Sequence, residues 1–463
     1  MRNSFPGIAG VLMVSFCLLA GHAIAEVGEA EVAAAKTTLM KSVAIPTVAG
    51  RGRVPELAEY YAGILEQAGF AAEDIVITPM GETATFAATL RGREPSQPPI
   101  LLIGHMDVVE ADPADWVRNP FIPAEEDGYV FGRGVSDNKF DVAMIITTLA
   151  QLKREGYRPR QDVIVLLSGD EETTMQTTQA LAEQYRGAEM VINGDGGGGY
   201  LADDGTAQYY SFQAAEKTYV DFELEFTNPG GHSSEPSKVN AITQLANALA
   251  RIGAYDFPPQ FSDLTRASLA GMASQVEPEL GAAMRRVAED PDDAEALAII
   301  RNNPAYVGQI GTTCVATTVT AGHATNALPQ RATANINCRV FPGVSTDEVK
   351  AELSRVVADP AGRFTLADPT SESPASELRK DITDAAKEAV YANYPNLPII
   401  PTMSAYGSDC THFRAAGMPC YGTSGLYSNP ADDFTHGLNE RIPVSAIRKA
   451  LVHWTMLIQT LTR

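Results

Sequence analysis

The sequence predicts an α/β protein in which a doubly wound domain is interrupted by a smaller α+β domain. Short apolar runs at residues 99–103, 163–167 and 190–192 alternate with helical periodicity, which is typical of strands in a largely parallel sheet. The middle of the chain instead has the order strand, helix, strand, strand, helix, strand, which is that of a ferredoxin-like fold. At 463 residues, 45% hydrophobic and 20% charged, the chain is long enough for two globular domains.

Local patterns define the elements of the smaller domain. Strands are expected at 219–226, 312–320, 332–340 and 364–366, and helices at 241–252 and 346–357. We therefore assign residues 26–213 and 370–463 to the doubly wound domain and residues 214–369 to the inserted domain. Residues 258–304 carry additional helical sequence, which we interpret as an insertion within the smaller domain.

The first 25 residues have the pattern of a secretory signal peptide. Arg2 precedes an apolar run from Ile8 to Ala20, and Ala23 and Ala25 provide a small-x-small cleavage pattern. A membrane anchor is disfavoured because the run is shorter than the roughly 20 residues that a spanning helix needs. We therefore expect a secreted protein, located in the periplasm and not held in a membrane.

The charge balance is strongly acidic. The formal net charge is −22, and removal of Arg2 with the signal peptide would make it one unit more negative. Such a protein repels nucleic acids and anionic membranes. Neither is expected as a partner.

Four cysteines remain if Cys17 leaves with the signal peptide, and four cysteines allow three pairings. If the strands at 312–320 and 332–340 pair through a turn at Asn326, Cys314 and Cys338 lie opposite each other. A disulfide and two packed thiols are both compatible with that register. Cys410 and Cys420 carry no such signal.

Two adjacent carboxylates, Glu171 and Glu172, follow the apolar run at 163–167. Neighbouring residues at the end of a strand point in different directions. One carboxylate can therefore bind a metal ion while the other acts on water.

A histidine follows another apolar run, at 99–103. His105 and Asp107 face the same way if the strand spacing continues. Asp107 is therefore expected to accept the second ring N–H of His105, which would fix its tautomer and strengthen it as a metal ligand.

Three further potential ligands occupy similar positions. Asp137 precedes a segment of helical periodicity, Asp195 follows the run at 190–192, and His436 lies near the C-terminus. Two imidazoles and three carboxylates suit a pair of zinc-like ions that share Asp137. The predicted ligands are His105, Asp137, Glu172, Asp195 and His436.

The ordered motifs resemble those of the co-catalytic zinc aminoacylase and carboxypeptidase superfamily, which includes glutamate carboxypeptidase, carboxypeptidase S, acetylornithine deacetylase and succinyl-diaminopimelate desuccinylase. The motifs are His105-x-Asp107, Gly-Arg-Gly-x-x-Asp137, Asp170-Glu171-Glu172, Asp195 and His436-x-x-Asn-Glu440. The resemblance implies a doubly wound zinc-exopeptidase domain with an inserted ferredoxin-like lid, and two divalent metal ions, Zn²⁺ above all. It departs from the common pattern at Asp195, where some members have Glu, and at Asn138, where Asp is frequent.

The resemblance also implies roles for individual residues. His105 and Asp195 would hold one metal ion, Glu172 and His436 the other, and Asp137 would bridge them. Glu171 would be the general base. Asp107 is grouped with the catalytic residues as the partner of His105.

The inserted domain carries three more residues with implied roles. His232, in a glycine-rich turn, would stabilise the oxyanion, often in the active site of a partner subunit, so a homodimer through the lid is expected. Asn326 and Arg339 match positions that bind the substrate carbonyl and a terminal carboxylate, for which a guanidinium is well suited. Without the resemblance, His232 could lie in a surface turn and Arg339 in a strand-end salt bridge.

The predicted function is metal-dependent hydrolysis of a peptide or amide bond next to a free carboxylate, by a secreted carboxypeptidase or dipeptidase. The substrate would be a small peptide or an N-acyl amino acid, and an N-acyl amino acid hydrolase is the alternative within the class. A non-catalytic metal- or peptide-binding protein is the alternative of another class, and the intact Glu171 argues against it. The glycine-rich run at 194–199 lacks the Gly-Lys-Ser/Thr ending of a phosphate loop.

Overall fold

The computed structural model describes residues 27–463. The predicted signal peptide and Cys17 lie outside the described residues. Within residues 27–463, no helix combines the length and the apolar character required to span a bilayer.

The first part of the larger domain alternates helices and strands. Its helices are α1 (Glu29–Val43), α2 (Val54–Gln67), α3 (Lys139–Arg154) and α4 (Gln176–Gln184). Its strands are β1 (Ile75–Met80), β2 (Thr83–Leu90), β3 (Ile100–His105), β4 (Ala124–Glu126), β5 (Tyr129–Phe131), β6 (Val163–Ser168), β7 (Met190–Asn193), β8 (Gly198–Leu201) and β9 (Ala207–Glu216).

The chain then forms the inserted segment and returns to the larger domain. The inserted segment contains β10 (Thr218–Thr227), β11 (Gly231–His232), α5 (Ala241–Gly253), α6 (Asp263–Met272), α7 (Pro278–Glu289), α8 (Ala294–Arg301), β12 (Thr313–Ala321), β13 (Ala327–Leu328), β14 (Arg331–Val340), α9 (Thr346–Val357) and β15 (Arg363–Leu366). The return comprises α10 (Lys380–Asn393), β16 (Ile399–Ser404), α11 (Cys410–Ala415), β17 (Cys420–Gly422), β18 (Tyr427–Ser428), β19 (Arg441–Pro443) and α12 (Ala446–Leu461).

A ten-stranded sheet organises the larger domain. Its strand order is β1-β2-β6-β3-β7-β17-β9-β8-β18, and β16 pairs with β9. Strands β3 and β6 are buried at every position and pair in parallel, as expected for apolar strands covered on both faces. Helices α1, α3 and α12 pack together on this sheet and contribute to the main hydrophobic core. The predicted α/β class is confirmed.

The inserted segment contains a four-stranded antiparallel sheet in the order β12-β14-β10-β15. This is the ferredoxin-like order, and α5, α9 and the sheet share a separate core. We call residues 218–257 and 313–366 the lid. Cys314 lies opposite Cys338 as predicted, and the two form a disulfide. Cys410 and Cys420 form a second disulfide in the larger domain.

The helices α6, α7 and α8 form a small unit, which we call the helical insertion. It has its own core around Met284 and Ile300. The insertion lies within the lid segment in sequence, as expected, and in space α6 packs on β16 of the larger domain. A Cβ built on Gly271 would lie 2.9 Å from Cγ2 of Ile400, so helix and strand are in close contact.

Candidate metal centre

The carboxyl ends of three adjacent parallel strands bring the predicted ligands to one place. His105 is the last residue of β3, Glu171 and Glu172 follow β6, and Asp195 follows β7. Because β3 pairs in parallel with both β6 and β7, these ends lie at the same edge of the sheet, where open α/β sheets bind ligands. The sequence pattern of apolar run followed by acid or histidine is thus a pattern of strand ends.

Asp137 lies between the two predicted metal positions. Its Oδ1 is 2.9 Å from Nε2 of His105, and its Oδ2 is 3.2 Å from Nε2 of His436. The two oxygens of one carboxylate therefore face different imidazoles, as a bridging ligand requires. The peptide bond from Asp137 to Asn138 is cis.

The potential ligands form two triads that share Asp137. One triad is His105, Asp137 and Asp195, and the other is Asp137, Glu172 and His436. Within each, one donor atom per residue lies within 4.8 Å of the others. Imidazole nitrogens and carboxylate oxygens in this arrangement fit a pair of divalent cations.

The electrostatics of the cluster show how closely its acids are packed. Burial raises the pKa of Glu171, and although His105 opposes this effect, Asp195, Asp409 and Glu172 add to it, so the pKa lies well above its usual range. Hydrogen bonds to Asp137 and Glu172 raise the pKa of His436 to about 10.

The pKa values of Asp137 and His105 shift in the direction opposite to the effect of burial. Burial raises the pKa of Asp137, but the contacts with His105 and His436 outweigh it and hold the pKa well below its usual range. Burial lowers the pKa of His105, and the neighbouring carboxylates of Asp107 and Asp137 reverse that effect. The imidazoles and carboxylates are therefore strongly coupled before any cation is considered.

Asp107 does not make the predicted bond to His105. The Nδ1 atom of His105 is 3.0 Å from the backbone carbonyl oxygen of Asp107 and 3.6 Å from its Oδ1 atom. The carboxylate accepts the backbone N–H groups of Glu171 and Glu172 instead, at 3.1 and 3.0 Å. The tautomer of His105 is thus set by a carbonyl group, and the Asp107 carboxylate positions the loop that carries the Glu pair.

Glu440 has a positioning role that sequence reasoning missed. Its carboxylate is fully buried and accepts the backbone N–H groups of Gly134, Ser136 and Asp137. It also pairs with the guanidinium of Arg133, with Nη1 to Oε2 at 2.7 Å. Glu440 therefore fixes the loop that presents Asp137. The signal was available, since both Arg133 and Glu440 belong to the quoted motifs.

Asp409 is a second buried acid that was left without a role. It accepts hydrogen bonds from Ser168, at 2.8 Å, and from Thr178. Burial raises its pKa to about 6. It connects α11 to the end of β6 and adds negative charge beside Glu171, which no local pattern around residue 409 could indicate.

The three site residues predicted in the lid divide between its two ends. Arg339 lies near the larger domain, where its Nη1 donates to the carbonyl oxygen of Ala405 at 3.2 Å and its guanidinium stacks over Tyr219. His232 and Asn326 meet at the far end, where the Ser233 N–H donates to the Asn326 carbonyl at 3.1 Å. The structure therefore brings His232 and Asn326 together but separates them from Arg339.

The separation is large because β14 is extended. The far end pairs Thr227 with Arg331, and the near end pairs Tyr219 with Arg339. Eight residues of strand span about 26 Å at roughly 3.3 Å per residue. His232 is exposed, and its ring is hydrogen-bonded to Ser234.

A cavity of about 500 Å³ lies over the two triads. Its wall carries seven acidic residues, which are Asp137, Asp141, Glu171, Glu172, Asp195, Asp432 and Asp433. Arg441 is the one Arg or Lys side chain in this wall, among the described residues, and its guanidinium pairs with Asp432. Sequence reasoning did not single out Arg441. We call this cavity the metal cleft.

Comparison with known proteins decides the family. Residues 101–460 match the model of peptidase family M20/M25/M40. The chain belongs to this family. The predicted resemblance is therefore confirmed, and the chain is an M20-type metallopeptidase with a cluster of potential metal ligands.

Relatives and solved structures agree with that assignment. The chain is 29% identical over 385 residues to the human protein named N-fatty-acyl-amino acid synthase/hydrolase PM20D1, covering 80% of this chain and 76% of that protein. It is 24% identical over 386 residues to probable carboxypeptidase S-like 2 of Dictyostelium discoideum, covering 80% and 73%. The fold is similar to that of the M20 family metallo-carboxypeptidase Sso-CP2 of Sulfolobus solfataricus, with a TM-score of 0.68, 19% identity, and coverage of 92% and 99%.

Proposed function

We propose that this M20 peptidase hydrolyses an amide bond next to a free carboxylate, using two zinc ions held by the triads. The observation that carries the proposal is the shared Asp137, flanked by two imidazoles. Glu171 lies within reach of His105 and Glu172, with which it forms a third group of potential ligands. A non-catalytic binding protein would have no chemical need for a carboxylate in the position of Glu171.

The chain's own residues have separate tasks in this reaction. When bound, the two cations would acidify water and polarise the scissile carbonyl group. Glu171 accepts a proton from the attacking water and delivers it to the leaving amine. The hydrogen bonds from the Glu171 and Glu172 backbone to Asp107 hold this base in place.

Names of the relatives indicate two substrate types with one common feature. The human relative is named for N-fatty-acyl amino acids, and the Dictyostelium relative for carboxypeptidase activity. Peptides with a free C-terminus and N-acyl amino acids both present an amide bond beside a carboxylate. Arg339 is our candidate for binding that carboxylate, since a guanidinium can pair with it bidentately.

The test is a substrate panel on protein loaded with zinc. Dipeptides, longer peptides with a free C-terminus and N-acyl amino acids are compared with their C-terminal amides, and Glu171→Gln protein is the matched negative control. We expect hydrolysis of at least one carboxylate series and little of its amides. Equal rates on acids and amides would contradict the requirement for a carboxylate.

We also propose that the protein forms a homodimer through the edge strand β12. Residues 315–321 of this strand are all exposed, including Val315 at 59% and Val319 at 56%. An exposed edge strand with apolar side chains offers its unpaired backbone groups to another strand. The register of β12 against β14 shifts between Ala316 and Thr318, so the pairing segment is Thr318–Ala321 or the residues before the shift. His232 is not among the residues that line the metal cleft of its own chain, which gives the dimer a role, because a partner's lid could supply His232.

Sedimentation at several protein concentrations tests the dimer. Val315→Lys with Val319→Lys should produce monomers that retain their metal. The matched control is Thr365→Lys, on β15 at the opposite edge of the lid sheet. A wild-type protein that is monomeric at assay concentrations would remove this proposal.

We propose that the protein is located in the periplasm. The two disulfides fit an oxidising compartment. Fractionation of expressing cells and N-terminal sequencing of the mature chain test it, with cleavage after Ala25 as the expected result.

A further inference from the structure

Lys217 occupies the point where the chain first passes from the larger domain into the lid. It lies between the last residue of β9 and the first residue of β10. Its backbone N–H donates to the Ser404 carbonyl oxygen of β16 at 2.9 Å, so its main chain is attached to the larger domain. Lys217 is 1% exposed, and its side chain extends to the segment where the chain re-enters the lid before β12. We call residues 216–218 and 311–313 the lid junction.

The ammonium group of Lys217 has neutral hydrogen-bond partners. Within residues 27–463, its Nζ donates to the carbonyl oxygen of Gly311 at 2.7 Å and to the hydroxyl oxygen of Thr313 at 3.3 Å. A buried ammonium that lacks a carboxylate partner is costly, because two neutral oxygens do not replace its hydration. Burial therefore lowers the pKa of Lys217 to about 7, and the charge of Arg339 adds to this effect.

Arg339 lies beside Lys217, and its hydrogen bond to the larger domain also goes to a neutral oxygen. Thr313, which accepts from Lys217, is the register partner of Arg339. The Nη1 atom of Arg339 donates to the Ala405 carbonyl oxygen at 3.2 Å. A Cβ built on Gly308 would lie 3.4 Å from Nζ of Lys217 and 3.9 Å from Cβ of Ala405, so both cations approach one small patch of chain. Two cations placed in this way repel each other, and one shared anion would relieve the repulsion.

The carboxylates nearest to Lys217 in sequence are engaged by other groups. Glu216 is fully buried, and its Oε2 atom is 3.1 Å from Nη1 of Arg414. Asp221, on β10, accepts from two asparagine amides of β14 at 2.7 and 2.9 Å. Among the described residues, Arg339 is the one charge that shifts the pKa of Lys217. The other titratable groups on the surrounding segments are Tyr219, Asp256, Arg301 and Tyr406.

We propose that Lys217 is the second cation of the substrate's carboxylate site, and that it takes up a proton when a carboxylate pairs with Arg339. The inference rests on the proposed function, because it takes Arg339 as the residue that binds the carboxylate. The anion offsets the repulsion from Arg339 and adds an attraction of its own, so the charged form of Lys217 becomes the favoured one. The proton comes from bulk water, for which a cavity of about 210 Å³ beside Gly311 and Thr313 offers a site.

Proton uptake has two consequences for the enzyme. A neutral amide in place of the carboxylate leaves Lys217 uncharged, so the site discriminates against uncharged ligands by more than the loss of one ion pair. A charged ammonium also donates stronger hydrogen bonds than a neutral amine does. Because Gly311 and Thr313 accept these bonds, carboxylate binding fastens the two strands of the lid junction to each other.

The first experiment measures proton uptake on binding, by isothermal titration calorimetry at pH 8 in buffers of different ionisation enthalpy. The protein is zinc-loaded Glu171→Gln, and the probes are dipeptides, N-acetyl amino acids and their C-terminal amides. Carboxylates should bind with uptake of roughly half a proton or more, and amides with none. Adding Lys217→Met should abolish the uptake. Adding Lys238→Met, at an exposed lysine of the lid, is the matched control and should leave the uptake unchanged.

The second experiment needs no ligand. The side-chain carbon-13 signal of Lys217, assigned by its loss in Lys217→Met, follows the titration of this one group. Arg339→Gln should raise the midpoint by about one pH unit, because it removes the repelling charge. Lys217→Gln, which keeps an N–H donor and cannot titrate, replaces Lys217→Met in both experiments if the methionine variant does not fold.

The outcomes separate this inference from the proposed function. Carboxylate binding without proton uptake, or with an uptake that persists in Lys217→Met, would overturn the inference whether or not turnover occurs. A midpoint that Arg339→Gln does not move would overturn it as well. Carboxylate binding with uptake that depends on Lys217, but without hydrolysis by the enzyme that retains Glu171, would support the inference and overturn the proposed function.

Discussion

The metal cleft and the far end of the lid differ in how firmly their functional residues are held. In the metal cleft, His105 and Glu172 extend from the ends of fully buried strands, and Asp107 and Glu440 fix the adjoining loops. At the far end of the lid, His232 lies in a two-residue strand, is exposed, and has Ser234 as its ring's hydrogen-bond partner.

This difference indicates two ways of assembling one active site. The metal ligands are positioned by a single folded domain, which is what two closely spaced cations require. His232 does not line the metal cleft, so its proposed role requires either movement of the lid or association with a second subunit. The predictions below test this division.

The largest effect is expected at the carboxylate pair. Glu171→Gln should lower kcat by about 10²–10⁴-fold, as for loss of a general base, while metal content stays normal. Glu172→Ala should lose metal because it removes a ligand. Metal analysis with kinetics on both variants checks this, and near-normal turnover by Glu171→Gln would remove that residue from the role of base.

His232→Ala should lower kcat by about 10²–10³-fold, the loss expected for one oxyanion donor, with unchanged metal content. Mixing His232→Ala with Glu171→Gln subunits distinguishes the two ways of delivery. If a partner supplies His232, mixed dimers regain activity, because one site contains both Glu171 and a partner's histidine. If the lid closes within one chain, mixing restores nothing, and small-angle scattering should show compaction with a product-like inhibitor.

Arg339→Ala should raise KM by about 10–100-fold, the cost of one hydrogen-bonded charge pair. Amidating the substrate carboxylate should raise KM similarly, and the two changes together should not add, because they remove one interaction. If the two KM increases are instead additive, Arg339 does not bind the carboxylate, and Arg441, the arginine that lines the metal cleft, becomes the candidate.

Stability measurements compare ion pairs in the two regions. Glu440→Gln leaves the buried guanidinium of Arg133 uncompensated, so the free energy of unfolding should fall by about 3–5 kcal/mol, with weaker metal binding. Arg331→Gln breaks the pair with Glu225 on the lid surface and should cost at most about 1 kcal/mol. Denaturant titrations measure the loss in free energy of unfolding for both variants. Equal losses would contradict the difference in rigidity between the two regions.

Much of the metal centre follows from local sequence. Four of the five potential ligands lie at or soon after the end of an apolar strand or just before a helix, and His436 lies in a loop. Parallel neighbouring strands end at one edge of a sheet. The opposite placement of Cys314 and Cys338 could be predicted for a similar reason, since a hairpin register follows from distances along the chain, whereas the choice between a disulfide and two thiols could not. The bond from Asp107 to His105 was predicted wrongly, because a nearby backbone carbonyl competes with the carboxylate and spacing cannot distinguish them.

The sequence by itself determined the α/β class, the ferredoxin-like order of the lid and the set of potential ligands, because these depend on periodicity and on residue types at element ends. Tertiary structure alone decided that α6 lies on β16, that Asp409 approaches Glu171, and that Tyr306 and Tyr200 line one cavity. These contacts join residues far apart in the chain, and they depend on side-chain shape and packing between domains, which no local pattern records.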